Sequence, residues 1–497
     1  MVGEPGCAPG GEWDTGEAKL IKLDANGWVK SLPAVNDAPR FTRVGTVLFR
    51  DMANRYPKGR YLVLYEGEGK IEYGFVKKDE AASRPGRDVI ITDGSDAGVI
   101  LQISQTDPKK TGNYIRNIRV IPEAYEARYR AGEIFHPDFL VKIAPFKTLR
   151  MMDWMVTNSN PPATWPERPR PSQASYAYRG GVPVEVMVTL ANQLKVNPWF
   201  TMPHQANDDY VRQFATYVRD HLNPNLKVYV EYSNEVWNNI FPQHTWADQQ
   251  GKARWGANTP TAYMKWYGFR SAQMAQIWQQ TFAAKSNRVI AVFATQSAGM
   301  GLETTGLTVP IVSNSSNVPA AKVFNAYAIA PYFGNDLGAP TNQAKVKAWL
   351  KDADGGFARL FRQLRTGTLL SQNPKDLGRS LPQIFAEIRY HKQVAQKQGL
   401  SLVAYEGGQH LSGFWGVEND PAMTNFFIAA NRRPEMYQLY QELLQAWKQI
   451  GGTTFMHFVD IYQPNKWGSW GALEYPNQPG GSPKYNALVD FIKKYQN

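Results

Sequence analysis

Residues 228–238 read "VYVEYSNEVWN", and the fold turns on what kind of sheet this run belongs to. Alternating Val and Tyr predict a β-strand, and period two puts Glu231, Ser233 and Glu235 on one side, with Val228, Val230, Tyr232 and Asn234 on the other. A carboxylate side suits the lumen of a barrel, with Glu235 at the rim and Glu231 deeper. An unpaired buried carboxylate is very costly, so Glu231 is expected to pair with Arg150 or another inward cation. Asn234, on the opposite parity, reaches the same spot only if the strand end bends or bulges.

Helical runs flank this strand, "DDYVRQFATYVRDHL" before it and "TAYMKWYGFRSAQMAQIWQQTFA" after it. The same alternation holds from about residue 135 onward, which predicts a parallel sheet with crossover helices. The other strand candidates are "TLRMMDWMV", "NPWFTMPH", "NRVIAVFATQS", "FNAYAIAPYF", "SLVAYEGGQHL" and "TTFMHFVDIY". A (β/α)8 barrel needs eight strands, and these make seven. Either "NYIRNIRVI" (113–121) is barrel strand one, or it belongs to the preceding β-region and strand one lies elsewhere; the strand count in that region favours the second.

Buried parallel strands carry their chemistry at their C-terminal ends, where a barrel builds its site. In order, these strands end with Arg150, Asp153 and Trp154; with His204; with Asn234 and Glu235, followed by Trp237; with Tyr332; with Glu406, Gln409 and His410; and with Asp460, followed by Trp467 and Trp470. A doubly wound open sheet would concentrate such groups at one switch point instead.

Residues 1–18 are rich in Gly, Pro and Glu and read as a disordered tail. Between about 41 and 121, short strands such as "RYLVLYEG", "KIEYGFV" and "AGVILQIS" alternate with turn clusters such as "GEGK", "TDGSDAG" and "TDPKKTG". That pattern predicts an antiparallel β-sandwich. The expected organisation is a tail (1–18), a β-sandwich resembling carbohydrate-binding accessory domains (19–122) and a barrel (123–497).

Composition narrows the partners. The net charge of +12 arises entirely after residue 112, because residues 1–112 hold 16 basic and 16 acidic side chains. The excess is dispersed and forms no nucleic-acid signature, so no nucleic-acid partner is expected. Its functional reading is a preference for an acidic polymer, such as a uronic-acid polysaccharide. With 15 Trp, 25 Tyr and 23 Phe, some rings are available to stack on sugar faces, although most serve the core. Cys7 is the single cysteine, which excludes an internal disulfide and a thiolate metal cluster. The seven His are scattered without an HExxH, and no Walker loop or GxSxG elbow occurs, so neither metal nor cofactor is expected. No run approaches the roughly 20 apolar residues of a membrane span, and the N-terminus lacks the features of a signal peptide.

The second acid, Glu406, ends "LVAYE" before Gly407 and Gly408, which let the backbone turn sharply. Two carboxylates facing each other across a barrel mouth suit hydrolysis of a glycosidic bond. Arg150 would keep Glu406 ionised, and a less polar setting near Trp237 would keep Glu235 protonated, which separates the two roles.

"EYSNE" and "AYEGG" resemble the ends of strands four and seven in clan A, the 4/7 superfamily of retaining β-glycosidases with (β/α)8 barrels. The resemblance implies Glu235 as acid/base and Glu406 as nucleophile. It also implies Arg150, His204, Asn234 and Tyr332 in substrate or carboxylate positioning, with Trp467 or Trp470 flooring the subsite at the cleaved bond. Asp153, Trp154, Trp237 and His410 join them as candidate substrate-binding residues. "SNEVWN" departs from the commoner N-E-P ending. The chain is also similar to bacterial proteins described as cellulose-binding, in which a β-domain containing "LDANGW" (23–28 here) interrupts the barrel after its first β/α unit. That likeness implies a chain beginning after strand one and a barrel open at the seam. The expected function is a retaining glycoside hydrolase acting on β-linked polysaccharide or oligosaccharide, as a monomer, secreted or periplasmic, with a cytoplasmic setting also open. The alternatives are a non-catalytic glycan-binding (cellulose-binding) barrel and a transglycosylase, which differs only in how water is excluded.

Overall fold

A computed structural model describes residues 15–33, 41–52, 54–159, 161–177, 180–313, 315–371, 373 and 376–495. The expected tail lies largely outside them. The chain divides into two compact units, residues 1–137 with 169–185, and residues 138–168 with 186–497.

The first unit is antiparallel. It contains β1 (Lys22–Leu23), β2 (Val29–Ser31), β3 (Val44–Leu48), β4 (Gly59–Glu66), β5 (Gly69–Gly74), β6 (Lys77–Lys78), β7 (Arg87–Thr92), β8 (Val99–Thr106) and β9 (Arg116–Pro122). One sheet runs β3-β8-β5, another β6-β7-β4-β9, and β1 pairs with β2. Alternation along each strand sends one face inward, so Tyr61, Val63, Ile71, Ile90, Leu101 and Ile103 from both larger sheets meet in one buried cluster. "NYIRNIRVI" belongs here: β9 lies antiparallel to β4, with Leu62 opposite Ile121.

The second unit alternates strands and helices in a mixed α/β fold. Its strands are β10 (Thr148–Arg150), β11 (Asn197–Met202), β12 (Val228–Tyr232), β13 (Val289–Ala294), the hairpin β14 (Pro310–Ser313) and β15 (Ser316–Pro319), β16 (Ala326–Ile329), β17 (Tyr332–Phe333), β18 (Ser401–Ala404) and β19 (Gly408–Gln409). Six of them form one parallel sheet in the order β10-β11-β12-β13-β16-β18. The crossover helices follow their sequence signals. The helix Asp208–His221 starts at Asn207, whose side chain accepts from the Tyr210 amide, and it carries acids in its first turn and bases in its last.

The expected seventh strand is a correction. Within "TTFMHFVDIY" the structure forms only isolated parallel bridges, one between Ala404 and Phe455 and one between Ile461 and Leu473. The Thr454 carbonyl accepts from Ala404 and the Met456 amide donates to it, which keeps the segment beside β18. Beyond Phe455 the chain folds onto its own loop, with Val459 N donating to the Trp470 carbonyl and Ala472 N to the Val459 carbonyl. Those bonds take backbone groups that a longer strand would use. Among the described residues, nothing pairs β10 to this segment, so the expected (β/α)8 barrel, with seven strands placed and strand one possibly missing, appears as a six-stranded parallel sheet open at one seam.

Candidate active site

The C-terminal ends of β10, β11, β12 and β18 bring Arg150, Trp199, Glu231, Asn234, Glu235, Tyr405 and Glu406 together in the second unit. Arg150 is the hub. Its Nε and Nη2 donate to Glu231 Oε2 at 3.1 and 2.9 Å, Nη1 donates to Glu406 Oε1 at 2.8 Å, and Nη2 also donates to Asn234 Oδ1 at 2.8 Å. The planar guanidinium fork, with five donors, holds three acceptors at once. Trp199 Nε1 donates to the same Glu231 oxygen at 2.9 Å. Glu231 is fully buried, and burial pushes its carboxyl up while Arg150 pulls it back. Burial also works against the charge of Arg150, but Glu231 and Glu406 outweigh it and hold the guanidinium above its ordinary range. The pairing of Glu231 with Arg150 is thus the one anticipated from strand parity.

The strand end breaks its alternation. Ser233 and Glu235 both adopt left-handed backbone, with φ of 60° and 43°, on either side of Asn234. For non-glycine residues such geometry costs on the order of 1–3 kcal/mol each and persists only when its surroundings impose it. Here they do. Ser233 N still donates to Met202 O, and Asn238 N closes a turn onto Glu235 O at 2.8 Å. Gln243 Nε2 donates to the Asn234 carbonyl and to Asn158 Oδ1, both at 2.7 Å. Asn158 Oδ1 in turn accepts from Asn234 Nδ2 at 3.1 Å, which leaves Asn234 Oδ1 facing Arg150.

The two candidate acids sit in different settings. Tyr405 donates its hydroxyl to Glu235 Oε1 at 2.9 Å, and Asn238 Nδ2 donates to Oε2 at 3.0 Å. Burial, and then the charge of Glu406, push Glu235 from an ordinary 4.5 up to about 7. Burial raises Glu406 as well, opposed by the Arg150 guanidinium and by the Tyr332 hydroxyl, which donates to Glu406 Oε2 at 2.9 Å. Tyr332 reaches it because the chain turns at Gly408 and pairs β19 to β17, with Tyr332 opposite Gly408. Gly408 has φ of 134°, and a Cβ there would stand 2.6 Å from the Tyr440 hydroxyl, so glycine is required.

Other candidates are placed less directly. His410 and Trp470 pack edge-on at 4.8 Å, and both rings contact Tyr332 at 5.8 Å, so they border the Glu406 side through that phenol. Trp467 is 58% exposed, and its carbonyl accepts from Trp470 Nε1. His204 is buried, and its described partners are Tyr232, Gln205 and the Trp246 ring rather than either acid. Burial alone pulls it down to about 4, which keeps it neutral. Asp153 and Trp154 line a cavity beside Glu406, where Trp154 stacks on Phe139. The indole nitrogen of Trp237 is buried without a partner among the described residues.

Sequence reasoning missed Tyr405, Asn238, Asn158, Gln243 and Trp199. The signal for Tyr405 was present in "AYEGG", since a phenol beside a strand-end acid needs a polar partner when buried. Nothing local to Asn158 or Gln243 marks them. Among the described residues, no group of three or more His, Cys, Asp or Glu is arranged to hold a metal, and no helix is long and apolar enough to cross a membrane.

No protein-family model matches the chain, and no curated protein does. Solved structures similar to it are glycoside hydrolases. One is a Bacteroidetes-affiliated GH5 cellulase linked with a polysaccharide utilization locus, at 10% identity and a TM-score of 0.40 over 73% of this chain and 85% of that one. Another is a GH5-4 broad-specificity endoglucanase from Bacteroides salanitronis, at 9% identity and a TM-score of 0.38 over 73% and 86%. A family 5 xyloglucanase from Paenibacillus pabuli gives 11% identity and a TM-score of 0.38 over 72% and 91%. The chemistry of the site rests on its own geometry.

Proposed function

We propose that the chain is a glycoside hydrolase acting on β-linked polysaccharide or oligosaccharide by a retaining double displacement. The observation that carries this reading is a pair of mutually repelling carboxylates, Glu406 buried and Glu235 half-buried, with unlike partners. Glu406 accepts from a guanidinium and a phenol, so it is the acid that ionises first and serves as nucleophile. Glu235, raised to about 7, keeps a proton near neutral pH and delivers it to the leaving oxygen. The Tyr405 hydroxyl can accept that proton's hydrogen bond when Glu235 is protonated and donate when it is ionised. Water then attacks the glycosyl–Glu406 ester with Glu235 acting as base.

Asn234, Trp470 and His410 are assigned to sugar positioning. The antiparallel first unit is assigned as a glycan-binding accessory of β-sandwich type. A dispersed positive charge makes acidic polymers worth including among substrates. The test is a polysaccharide panel with the first product's anomer read by NMR. The expected result is a β-anomer released by the native chain and a loss of at least about 10³-fold in kcat for Glu406→Gln, with glycan binding retained. Undiminished turnover by Glu406→Gln would refute the assignment, and an α-anomer as first product would refute the retaining mechanism.

A further inference from the structure

Two loops border the Glu406 side of the site, and each carries a tryptophan that the core does not use. One runs from His410 to Asp420 and the other from Val459 to Ala472, and the His410 ring of the first packs on Trp470 of the second at 4.8 Å. Trp415 on the first loop is 87% exposed, more than any other large hydrophobic side chain among the described residues. Trp467 on the second is the other exposed tryptophan among them.

Both indoles are held by braced backbone. Gly416 N donates to Glu418 Oε2 at 2.8 Å and Val417 N to the Phe414 carbonyl. Between them Trp415 has φ of 53°, a left-handed conformation that a non-glycine residue keeps only where its surroundings impose it. The Phe414 ring stands edge-on to the Trp415 indole at 5.1 Å. On the other loop, Asn465 and Gly468 exchange backbone bonds across a tight turn, and Asn465 Oδ1 accepts from Trp467 N at 2.8 Å. Lys466 ties the two loops, its Nζ donating to Asn419 Oδ1 at 3.0 Å while lying 4.7 Å from the Trp467 ring centre.

An indole stabilises a fold by leaving water, so a ring held out in water on a braced turn adds nothing to stability. What it offers is a flat apolar face from which a ligand can displace water. The surface runs on from there into the site. Trp467 accepts from the Trp470 indole nitrogen, and Trp470 contacts Tyr332, the donor to Glu406. Charge favours an uncharged ligand. The Asn419 amide bridges Lys466 to Glu418, and Lys347 pairs with Asp420, so these four charges cancel. A flat apolar surface without net charge, continuous with two carboxylates, fits the C–H faces of pyranose rings.

We propose that Trp415 and Trp467 form a rim platform that stacks uncharged pyranose units of a glycan chain whose other part occupies the site at Glu406. This rests on the reading of that site as one acting on a β-linked glycan. Contacts at both places add for a chain long enough to span them and are lost to a short one, so the platform makes the protein prefer polymers to oligosaccharides.

The test measures binding in Glu406→Gln, so that bound chains are not consumed. The probes are hydroxyethylcellulose, glucomannan and xylan, each compared with the trisaccharide of its main chain by calorimetry. The expected result is that at least one polymer binds at least about tenfold more tightly than its trisaccharide. Adding Trp415→Ala should weaken that polymer at least about fivefold without changing the trisaccharide, and Trp415→Tyr should restore most of the loss. Bound polymer should also shield Trp415 and Trp467 from oxidation by N-bromosuccinimide, read by peptide mass spectrometry. Polymer affinity independent of Trp415, or both indoles still oxidised in the complex, would overturn the platform and leave the hydrolase reading standing on the turnover of the native chain. Binding of none of the polymers would overturn it too. A native chain that turns over none of these glycans, yet binds one through Trp415, would support the platform and refute the hydrolase reading. A dimer in sedimentation that dissociates with Trp415→Ala would assign the rim to a second copy and overturn the proposal.

Discussion

Glu235 and Glu406 differ less in burial than in what donates to them. Arg150 supplies a full positive charge to Glu406, whereas Tyr405 and Asn238 supply only neutral donors to Glu235. A charge-assisted bond is roughly twice as strong as a neutral one, which is enough to send the shared proton to Glu235. Removing the Tyr405 hydroxyl takes away a bond that favours the ionised form of Glu235. Tyr405→Phe is therefore expected to raise the pKa of Glu235 further and to move the alkaline limb of the activity profile upward. Glu406→Gln removes the neighbouring negative charge and is expected to lower Glu235 below about 7. Carbon-13 NMR titration of labelled glutamate side chains reads both shifts, and a Glu235 that titrates identically in all three proteins would contradict the electrostatic account.

The strand end of β12 is where geometry decides chemistry. Period two holds through Tyr232 and places Glu231 inward, but from Ser233 onward the two left-handed residues re-aim the chain so that Asn234 and Glu235 both serve the site. Because Ser233 already sits at positive φ, Ser233→Gly relieves strain and is expected to hold stability within about 1 kcal/mol. Ser233→Val places a β-branched residue at φ of 60° in a fully buried position and is expected to cost at least about 2 kcal/mol. Denaturant midpoints measure both. A harmless valine would mean that the turn relaxes and does not set the position of Glu235.

Across the whole molecule, buried titratable groups pull stability in opposite directions with pH. Burial lowers His204 and His410 to about 4 and His457 to about 3, so their contribution is present above the ordinary value of 6.5 and is lost as pH falls through those lowered values. Glu235 acts the other way. Raised to about 7, it contributes stability that is full below 4.5 and lost as pH rises through 7. Burial also lowers His391 and raises Glu231, Glu406, Asp153, Asp336, Glu387 and Asp460, so the contribution of Glu235 is read as a difference between two proteins at each pH. Glu235→Gln removes the opposing contribution, so its stability should fall more steeply over pH 7 to 4.5 than that of the native chain. Urea denaturation at each pH checks this, and parallel curves would show that Glu235 is not coupled to folding.

Much of this was legible in the chain order of residues, for a physical reason. Alternating apolar runs with acids at their ends follow from burying both faces of parallel strands, so "VYVEYSNE" and "LVAYE" mark β12, β18 and both carboxylates. The Arg150–Glu231 pair was equally readable, because a buried charge must find a partner. What tertiary structure alone decided are contacts between residues far apart in sequence. Tyr405 meets Glu235 across 170 positions, and Asn158 meets Asn234 and Gln243 only because the left-handed turn at Ser233 folds that way. The reduction of "TTFMHFVDIY" to isolated bridges is of the same kind. Its residues have strand propensity, but a strand needs ladder partners on its flanks, and the loop from Val459 to Ala472 takes the backbone bonds instead.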